Sequence, residues 1–398
     1  MAGTGWLVRD GFAGRCTWAF DGETLLLTPE GHPAEAHLLR EVQGLGGADE
    51  HTVELTVSGR TVTLSRLGGD GPTLRERVAR TWLPARTQAL RLTGSGEPLT
   101  FTGAITDGGA ARPFRALLFD DVLAFATPGC DVQPFFLARL ATVACDRPAY
   151  RVIAAAWGGA AVTFSRLGGE TEAFSAALAA RRERLAAEAA AVLAAHLPAL
   201  APGARAALGS AWLPGRLLAL PDLERTATGI APALRAGWFA ALPRAAHAET
   251  LLAWAAAGKA FLGYSRPVPE AAEEDDGAEA PASPDDAASA TSAPNDPAAP
   301  LWLLAGRADG WLLECLSLGD HATYRFAAGD EVPELVEQLL CAPQFSRTAL
   351  YRPLEGLVGA QAEFAPAARD LPFLRALRAC FAGRIIHTKL ATWRQALG

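Results

Sequence analysis

The chain has 398 residues, half of them hydrophobic and a fifth charged, so it has room for two to four domains with buried cores. Its formal net charge is −7, but the segment 268–300 holds nine carboxylates and no basic residue, which leaves 36 basic against 34 acidic residues elsewhere. A body this close to neutral argues against a strong nucleic-acid binder. No stretch reaches the ~18 uninterrupted apolar residues of a membrane span, and no basic, then apolar, leader opens the sequence.

The first predicted elements are a hairpin and a helix. Apolar and polar residues alternate over 53–57 and over 62–64, with a glycine turn at 58–60 between them, which predicts two antiparallel strands. After the motif SRLGG (65–69) the apolar residues fall four apart, which predicts a helix over about 73–90.

The motif SRLGG returns at 165–169, at a spacing of 100 residues. Upstream, 22–31 aligns with 122–129 and 36–57 aligns with 134–156. The chain therefore contains two copies of one unit, each made of several antiparallel strands followed by one helix. We expect these units at 1–95 and 96–195, the second ending in a helix over 171–195.

A third, weaker copy is expected at 236–345. It has strand-like segments, a hairpin turn and a strand-turn-helix pattern. These features lie at 258–267, 301–318, 308–310 and 322–341. A helical connector is predicted at 196–235 and a helical segment at 346–398. The strings 80–90 and 210–220 also resemble each other, which suggests that Trp82 and Trp212 lie at equivalent junctions.

A curved antiparallel sheet of about seven strands closed by one C-terminal helix resembles the pleckstrin-homology-like (PH-like) fold. The motif SRLGG and the helix after it are similar to the last strand and capping helix of such domains. The resemblance implies an α+β protein of tandem PH-like units joined by helical connectors. Members that bind phosphoinositides carry Lys and Arg in the loop between the first two strands. The segments 19–24 and 118–123 are predicted to be these loops, and they are acidic, so no phosphoinositide ligand is expected.

The acidic segment 268–300 is rich in Pro, Ala, Ser, Asp and Glu, so it is expected to be disordered within the third unit. The six cysteines are widely spaced and lack metal-ligand spacing, which indicates reduced thiols and a cytoplasmic protein. The strong preference for Arg over Lys, with much Ala, Gly and Pro, suggests a GC-rich bacterial source.

Few residues suggest chemistry. His32 and His37, with Glu35 nearby, were weighed as a metal pair and interpreted as surface or edge-strand histidines. The glycines at 44–47 and 65–69 fit no phosphate-binding motif and indicate tight turns.

The repeated pairs Ser65–Arg66 and Ser165–Arg166 were weighed as a site and interpreted as folding determinants. Asp120 and Asp121 were interpreted as solvated loop charges. We therefore predict no catalytic, cofactor-binding or metal-binding residue, and the sequence does not identify the binding residues.

Arginines cluster on both predicted helices, interleaved with glutamates, which is typical of solvated helix faces. They are Arg75, Arg77 and Arg80 on the first helix and Arg181, Arg182 and Arg184 on the second. Contact with an anionic polymer is the alternative, in which case the acidic segment would compete for the same arginines.

The favoured interpretation is a non-enzymatic intracellular scaffold or adaptor that uses its repeated modules for protein–protein contacts, by strand addition at a sheet edge. The first alternative is a nucleic-acid- or chromosome-associated protein whose acidic loop mimics or modulates polyanion binding, an arrangement similar to that of a histone chaperone. The second is an enzyme with a site at a domain junction, which no motif supports.

Overall fold

The computed structural model describes residues 1–241, 253, 260–266, 299–316 and 322–386. It is a mixed α+β structure with three antiparallel sheets. The chain divides into two compact units. Unit 1 is Met1–Arg182 with Arg369–Leu371, and unit 2 is Glu183–Ala368 with Pro372–Gly398. Each unit is described by itself below.

The first module of unit 1 is a seven-stranded sheet followed by a helix. Its strands are β1 (Ala2–Arg9), β2 (Phe12–Phe20), β3 (Thr24–Pro29), β4 (Glu35–Leu38), β5 (Val42–Gly46), β6 (Val53–Val57) and β7 (Arg60–Ser65). They lie in the order β4-β3-β2-β1-β7-β6-β5. The first strand therefore pairs with both the second and the last, and β4 and β5 form the two edges.

The second module repeats this arrangement strand by strand. Its strands are β8 (Leu99–Thr106), β9 (Arg112–Leu118), β10 (Val122–Ala126), β11 (Gln133–Phe136), β12 (Leu140–Asp146), β13 (Arg151–Ala156) and β14 (Ala161–Ser165). Their order is β11-β10-β9-β8-β14-β13-β12, so β11 and β12 are the edges. The same pairing of first with last strand recurs between β8 and β14.

The repeated motif has the same backbone in both copies. Arg66 and Arg166 have φ of 55° and 54°, and Gly68 and Gly168 have φ of 58° and 59°. The intervening leucines are equally buried, each 4% exposed. The predicted equivalence of 65–69 and 165–169 is therefore confirmed at the level of the backbone, and the left-handed arginines mark it as a turn built into the fold.

The two predicted helices are confirmed as α1 (Gly71–Ala89) and α2 (Thr171–His196). The apolar face of α1 is Leu74, Val78 and Trp82, all buried. Helix α2 starts in unit 1 and continues, after Arg182, as part of unit 2. Both helices bury one side because apolar residues four positions apart fall on the same helix face.

Unit 2 holds the third sheet, in which six strands pair in chain order. They are β15 (Leu218–Ala219), β16 (Ala260–Tyr264), β17 (Leu301–Arg307), β18 (Gly310–Cys315), β19 (Ala322–Phe326) and β20 (Phe381–Ile386). Its further helices with described bounds are α3 (Pro202–Ala211), α4 (Leu220–Thr226), α5 (Ile230–Ala236), α6 (Val332–Cys341), α7 (Thr348–Tyr351), α8 (Ala365–Asp370) and α9 (Pro372–Ala379).

An aromatic cluster forms part of the core of unit 2. The indole of Trp212 donates to the Leu262 carbonyl at 3.2 Å, and the Tyr264 hydroxyl donates to the Trp212 carbonyl at 2.9 Å. The His196 ring stacks on Trp238 with 4.4 Å between centroids. The polar atoms of these large rings find partners while their faces pack, as buried aromatic residues require.

The hairpin predicted at 308–310 is confirmed, because Arg307 pairs with Gly310. The prediction of a wholly helical segment at 346–398 was wrong, since β20 lies within it and pairs with β19. The reason is local: Ile385 and Ile386 are β-branched residues that favour a strand, and Gly383 between them and α9 disfavours a continued helix. The sheet also includes β15, which lies in the predicted connector.

Two further predictions were wrong in position. The segments 19–24 and 118–123 join the second and third strands of their sheets, because the short Asp10–Gly11 turn already joins the first two in module 1. Trp82 lies inside α1, whereas Trp212 follows the end of α3, so the two are not at equivalent places.

The acidic segment 268–300 lies outside the described residues except for Ala299 and Pro300. Among the described helices, none combines the length and the apolar character that crossing a bilayer requires.

Glycines allow the first and last strands of each module to meet. A Cβ on Gly103 would lie 2.6 Å from the carbonyl oxygen of Ser165, and a Cβ on Gly5 would lie 3.0 Å from that of Ser65. These positions correspond, because Ala104 pairs with Ser165 as Trp6 pairs with Ser65. Both modules thus close at the same place by the same means.

We predict that Gly103→Ala lowers the free energy of unfolding by about 1–3 kcal/mol, the usual cost of overfilling a packed site. The effect of Gly5→Ala should be smaller, because its closest contact is longer. Urea unfolding measures both. Gly109→Ala is the matched control in the same module, since a Cβ there meets no atom within 4 Å. Equal stability of Gly103→Ala and the control would contradict this account of the closure.

Candidate protein-binding site

One edge of the first module is covered by the second module. The backbone N–H of Gly129, in the turn after β10, donates to the carbonyl of Leu45 on edge strand β5 at 2.9 Å. A Cβ on Gly44 would lie 2.6 Å from the Gly129 oxygen, and one on Gly46 would lie 3.2 Å from its nitrogen. The close approach therefore needs glycine at 44. The interpretation of 44–47 as a tight turn was wrong for Gly44 and Gly46, which are residues of strand β5 at a module contact.

A cleft of about 620 Å³ lies beside this contact, within unit 1. Its lining includes Trp82 and Leu83 of α1 and Phe114 of β9. The Arg115 guanidinium donates to both oxygens of Glu76 at 3.0 and 2.8 Å across its charged rim. The lining contains no His, Cys or Ser, so among the residues that form it there is no pairing of a nucleophile with a histidine base.

The corresponding edge of the second module, β12, has one neighbour in its sheet, β13, within the described residues. The register shifts at the same point in both modules, after Val42 and after Leu140, so Thr142 and Ala144 correspond to Gly44 and Gly46. Both side chains are exposed. The two copies therefore share a fold but differ at this edge: β5 is covered by the Gly129 turn, and no described strand or turn bonds to the outer side of β12 through its backbone.

Each capping helix is tied to its edge strand through the same position. The Trp82 indole donates to the carbonyl of Val42 at 2.8 Å, and the Arg182 guanidinium donates to the carbonyl of Leu140 at 2.7 Å. The counterpart of Trp82 in the second module is thus Arg182, a polar side chain. This replacement puts a charged side chain against β12 where the first module has an indole against β5.

A buried charge cluster also lies in unit 1. Arg86 of α1 is fully buried and donates from Nε and Nη2 to the two oxygens of Asp131, at 2.8 and 2.6 Å. Its Nη2 also donates to Asp370 at 2.7 Å, and its Nη1 to the carbonyl of Arg40 at 3.1 Å. The amide of Gln43 donates to Asp370 at 2.9 Å. Sequence analysis missed this cluster, because its members are far apart in the chain.

The environment shifts the pKa values of both carboxyl groups. Burial raises the pKa of Asp131, and its bonds from Arg86 oppose the rise. Burial would also raise the pKa of Asp370, but hydrogen bonds from Arg369, Arg86 and Gln43 outweigh it and lower this pKa to about 2. Asp370 is therefore the more firmly ionised of the two.

The histidines weighed as a metal pair do not form one site. His37 is on edge strand β4, where burial lowers its pKa, while exposed His32 packs edge-on against Phe12. In the part of the chain that the structure describes, no group of three or more His, Cys, Asp and Glu side chains could hold a metal ion.

The Arg66 guanidinium lies over the Trp6 ring, 4.6 Å from its centroid. This stacking contact lies where the first and last strands of the first module meet.

The interpretation of Asp120 and Asp121 as solvated loop charges was wrong for Asp121. Asp121 is buried, and its backbone carbonyl accepts from Leu137 at 2.8 Å. Asp120 is about 21% exposed, lies 3.7 Å from Arg181 and donates its backbone N–H to Ser95. The pair lies in the turn between β9 and β10, where the fold buries Asp121 and leaves Asp120 partly exposed beside Arg181.

The helix arginines are only partly solvated. Arg75 donates to the carbonyl of Asp49 at 2.5 Å, Arg182 bonds to β12, and Arg181 pairs with Asp120. Arg77 and Arg80 are exposed. At least three of the six arginines are thus engaged by their own module, which reduces the charge available to a polyanion.

We predict that Asp370→Asn flattens the acid dependence of stability. Because the folded pKa of about 2 lies below the ordinary 3.8, the ionised group stabilises the fold above pH 3.8 and loses this effect as pH falls through 2. The difference corresponds to about 2 kcal/mol. Urea unfolding between pH 5 and 2 measures it, with exposed Asp10→Asn as control. Parallel curves for wild type and Asp370→Asn would show that the cluster contributes no such linkage.

Comparison with models of protein families matches none of them, and comparison with curated proteins finds no relative. The function is therefore inferred from the geometry of the described residues alone.

Proposed function

We propose that the protein is a non-enzymatic, cytoplasmic scaffold or adaptor, whose tandem modules are PH-like units that act through protein–protein contacts. Two features support the PH-like interpretation of the first two modules: the strand order, with the first strand against the last, and the helix that follows the last strand. All six cysteines are free thiols, which fits a reducing compartment. The third sheet would be a divergent relative with its own strand order.

The observation that carries the proposal is the open edge of β12. Edge strands present unpaired N–H and C=O groups and pair readily with other chains. In the first module the matching edge, β5, accepts a hydrogen bond from Gly129, so this position is already used for a backbone contact inside the protein. The second module presents the same edge without that cover. A partner segment would add to β12 as a further strand.

The register indicates which groups of β12 would bind. The Leu45 carbonyl points away from β6, because it accepts from Gly129, and Val143 is its counterpart in β12. In an antiparallel strand the N–H and C=O of one residue point to the same side. The backbone of Val143 therefore faces the open side. Helix α2 borders this side through Arg182, which suits a partner segment with an acidic residue.

We predict that Val143→Pro weakens partner binding at least tenfold, because proline removes the outward N–H while leaving the ladder to β13 intact. Peptides selected from a displayed random library on the full chain serve as probes, and fluorescence anisotropy measures affinity. Val143→Ala is the matched control, since it loses the side chain and keeps the N–H. Equal weakening by both variants, or by neither, would contradict strand addition at β12.

The polyanion alternative makes a different prediction. With three of the helix arginines bound within the module, we expect no binding to duplex DNA tighter than micromolar at physiological salt, because little counterion release is available. Fluorescence anisotropy with a labelled duplex measures this. Nanomolar affinity with a steep salt dependence would favour the chromosome-associated alternative, and binding that strengthens at low salt after deletion of 268–300 would support polyanion mimicry.

A further inference from the structure

A short segment from late in the chain belongs to unit 1. Arg369–Leu371 is part of this unit, whereas Ala368 before it and Pro372 after it are part of unit 2. Within the segment, Asp370 is 4% exposed and binds Arg86 and Gln43. Leu371 is also buried, at 3% exposed. Three residues thus supply a carboxylate and an apolar side chain to a site that the two modules otherwise build.

The charges at this site divide into two neutral pairs. Arg86 makes two hydrogen bonds to Asp131 and one to the carbonyl of Arg40, but only one to Asp370. Arg369 in turn donates to both oxygens of Asp370, at 2.9 and 2.8 Å. If the segment leaves, Arg86 keeps Asp131 and Asp370 keeps Arg369. Release therefore leaves no buried charge without a partner. Such an unpaired charge is what usually makes breaking a buried ion pair costly.

The rest of the site is fixed without the segment. The side-chain oxygen of Gln43 accepts from the backbone N–H of Gly59 at 3.0 Å, which orients its amide towards Asp370. Arg86 is held in place by Asp131 and by the Arg40 carbonyl. A second carboxylate beside Asp131 would be repelled unless it brought its own cation, and Arg369 supplies that cation. The site thus selects an acidic residue that follows a basic one.

We propose that the pocket formed by Arg86 and Gln43 recognises an Arg-Asp-Leu type of segment, filled in cis by Arg369–Leu371, and that a segment of the same chemistry from a partner protein displaces it. The guanidinium of Arg86 and the amide of Gln43 bind the acidic residue, and its basic neighbour neutralises it. This site is separate from the β12 edge and independent of it.

A labelled synthetic peptide with the sequence of residues 365–374 tests the proposal on the full-length chain. In Arg369→Ala the cis segment loses its cation, which is half exposed, so the fold should be kept while cis occupancy weakens. By fluorescence anisotropy, we expect this variant to bind the peptide at least fivefold more tightly than wild type. A peptide with Asn in place of Asp370 should bind at least tenfold more weakly than the unaltered peptide.

A second readout does not depend on any variant. Saturating the wild-type chain with the peptide should accelerate amide hydrogen exchange across Arg369–Leu371, because the cis segment is displaced, while the Asn peptide should not. Equal affinity of Arg369→Ala and wild type for the peptide, or equal affinity of the two peptides, would overturn the proposal. Unchanged exchange at 369–371 under saturation would also overturn it. Since Val143→Pro leaves this site intact, failure here is distinguishable from failure of strand addition at β12.

Discussion

The buried guanidinium of Arg86 is the constraint around which unit 1 is organised. It comes from the capping helix of the first module, and its main carboxylate partner, Asp131, comes from the second. A fully buried cation requires such partners, because an unpaired charge in this place is strongly destabilising. The pairing of the two modules therefore provides the partners that one buried side chain requires, and the Gly129–Leu45 backbone hydrogen bond is a second contact between the same modules.

Duplication preserved the features that close each module and changed the features that face outward. Three features occur in both copies: the glycines where the first strand meets the last, the arginines with positive φ, and the hydrogen bond from the helix to the edge strand. The glycines that admit a neighbouring turn at β5 are replaced by Thr142 and Ala144 at β12. This difference explains why β5 admits a neighbouring turn, whereas β12 has no such backbone contact among the described residues.

The regular elements could be predicted from sequence because their signal is local. Two patterns among neighbouring residues are enough to predict these elements: the alternation over 53–64 and the apolar residues four apart after Gly69. The repeat supports the same predictions a second time. The site could not be predicted in this way. Arg86 binds residues 45 and 284 positions away, and nothing near it in the sequence distinguishes it from a solvated helix arginine. In the sequence Gly44 suggests a turn, because the close backbone contact that requires glycine there comes from a residue far along the chain.

The late position of Arg369–Leu371 sets an order of events during synthesis. Unit 1 is otherwise complete at Arg182, and roughly 190 further residues must be translated before Asp370 emerges. At about 5–20 residues per second this takes on the order of 10–40 s. During that interval Arg86 is held by Asp131 and the Arg40 carbonyl alone, so every nascent chain passes through a stage in which the pocket is formed and its own segment has not yet reached it.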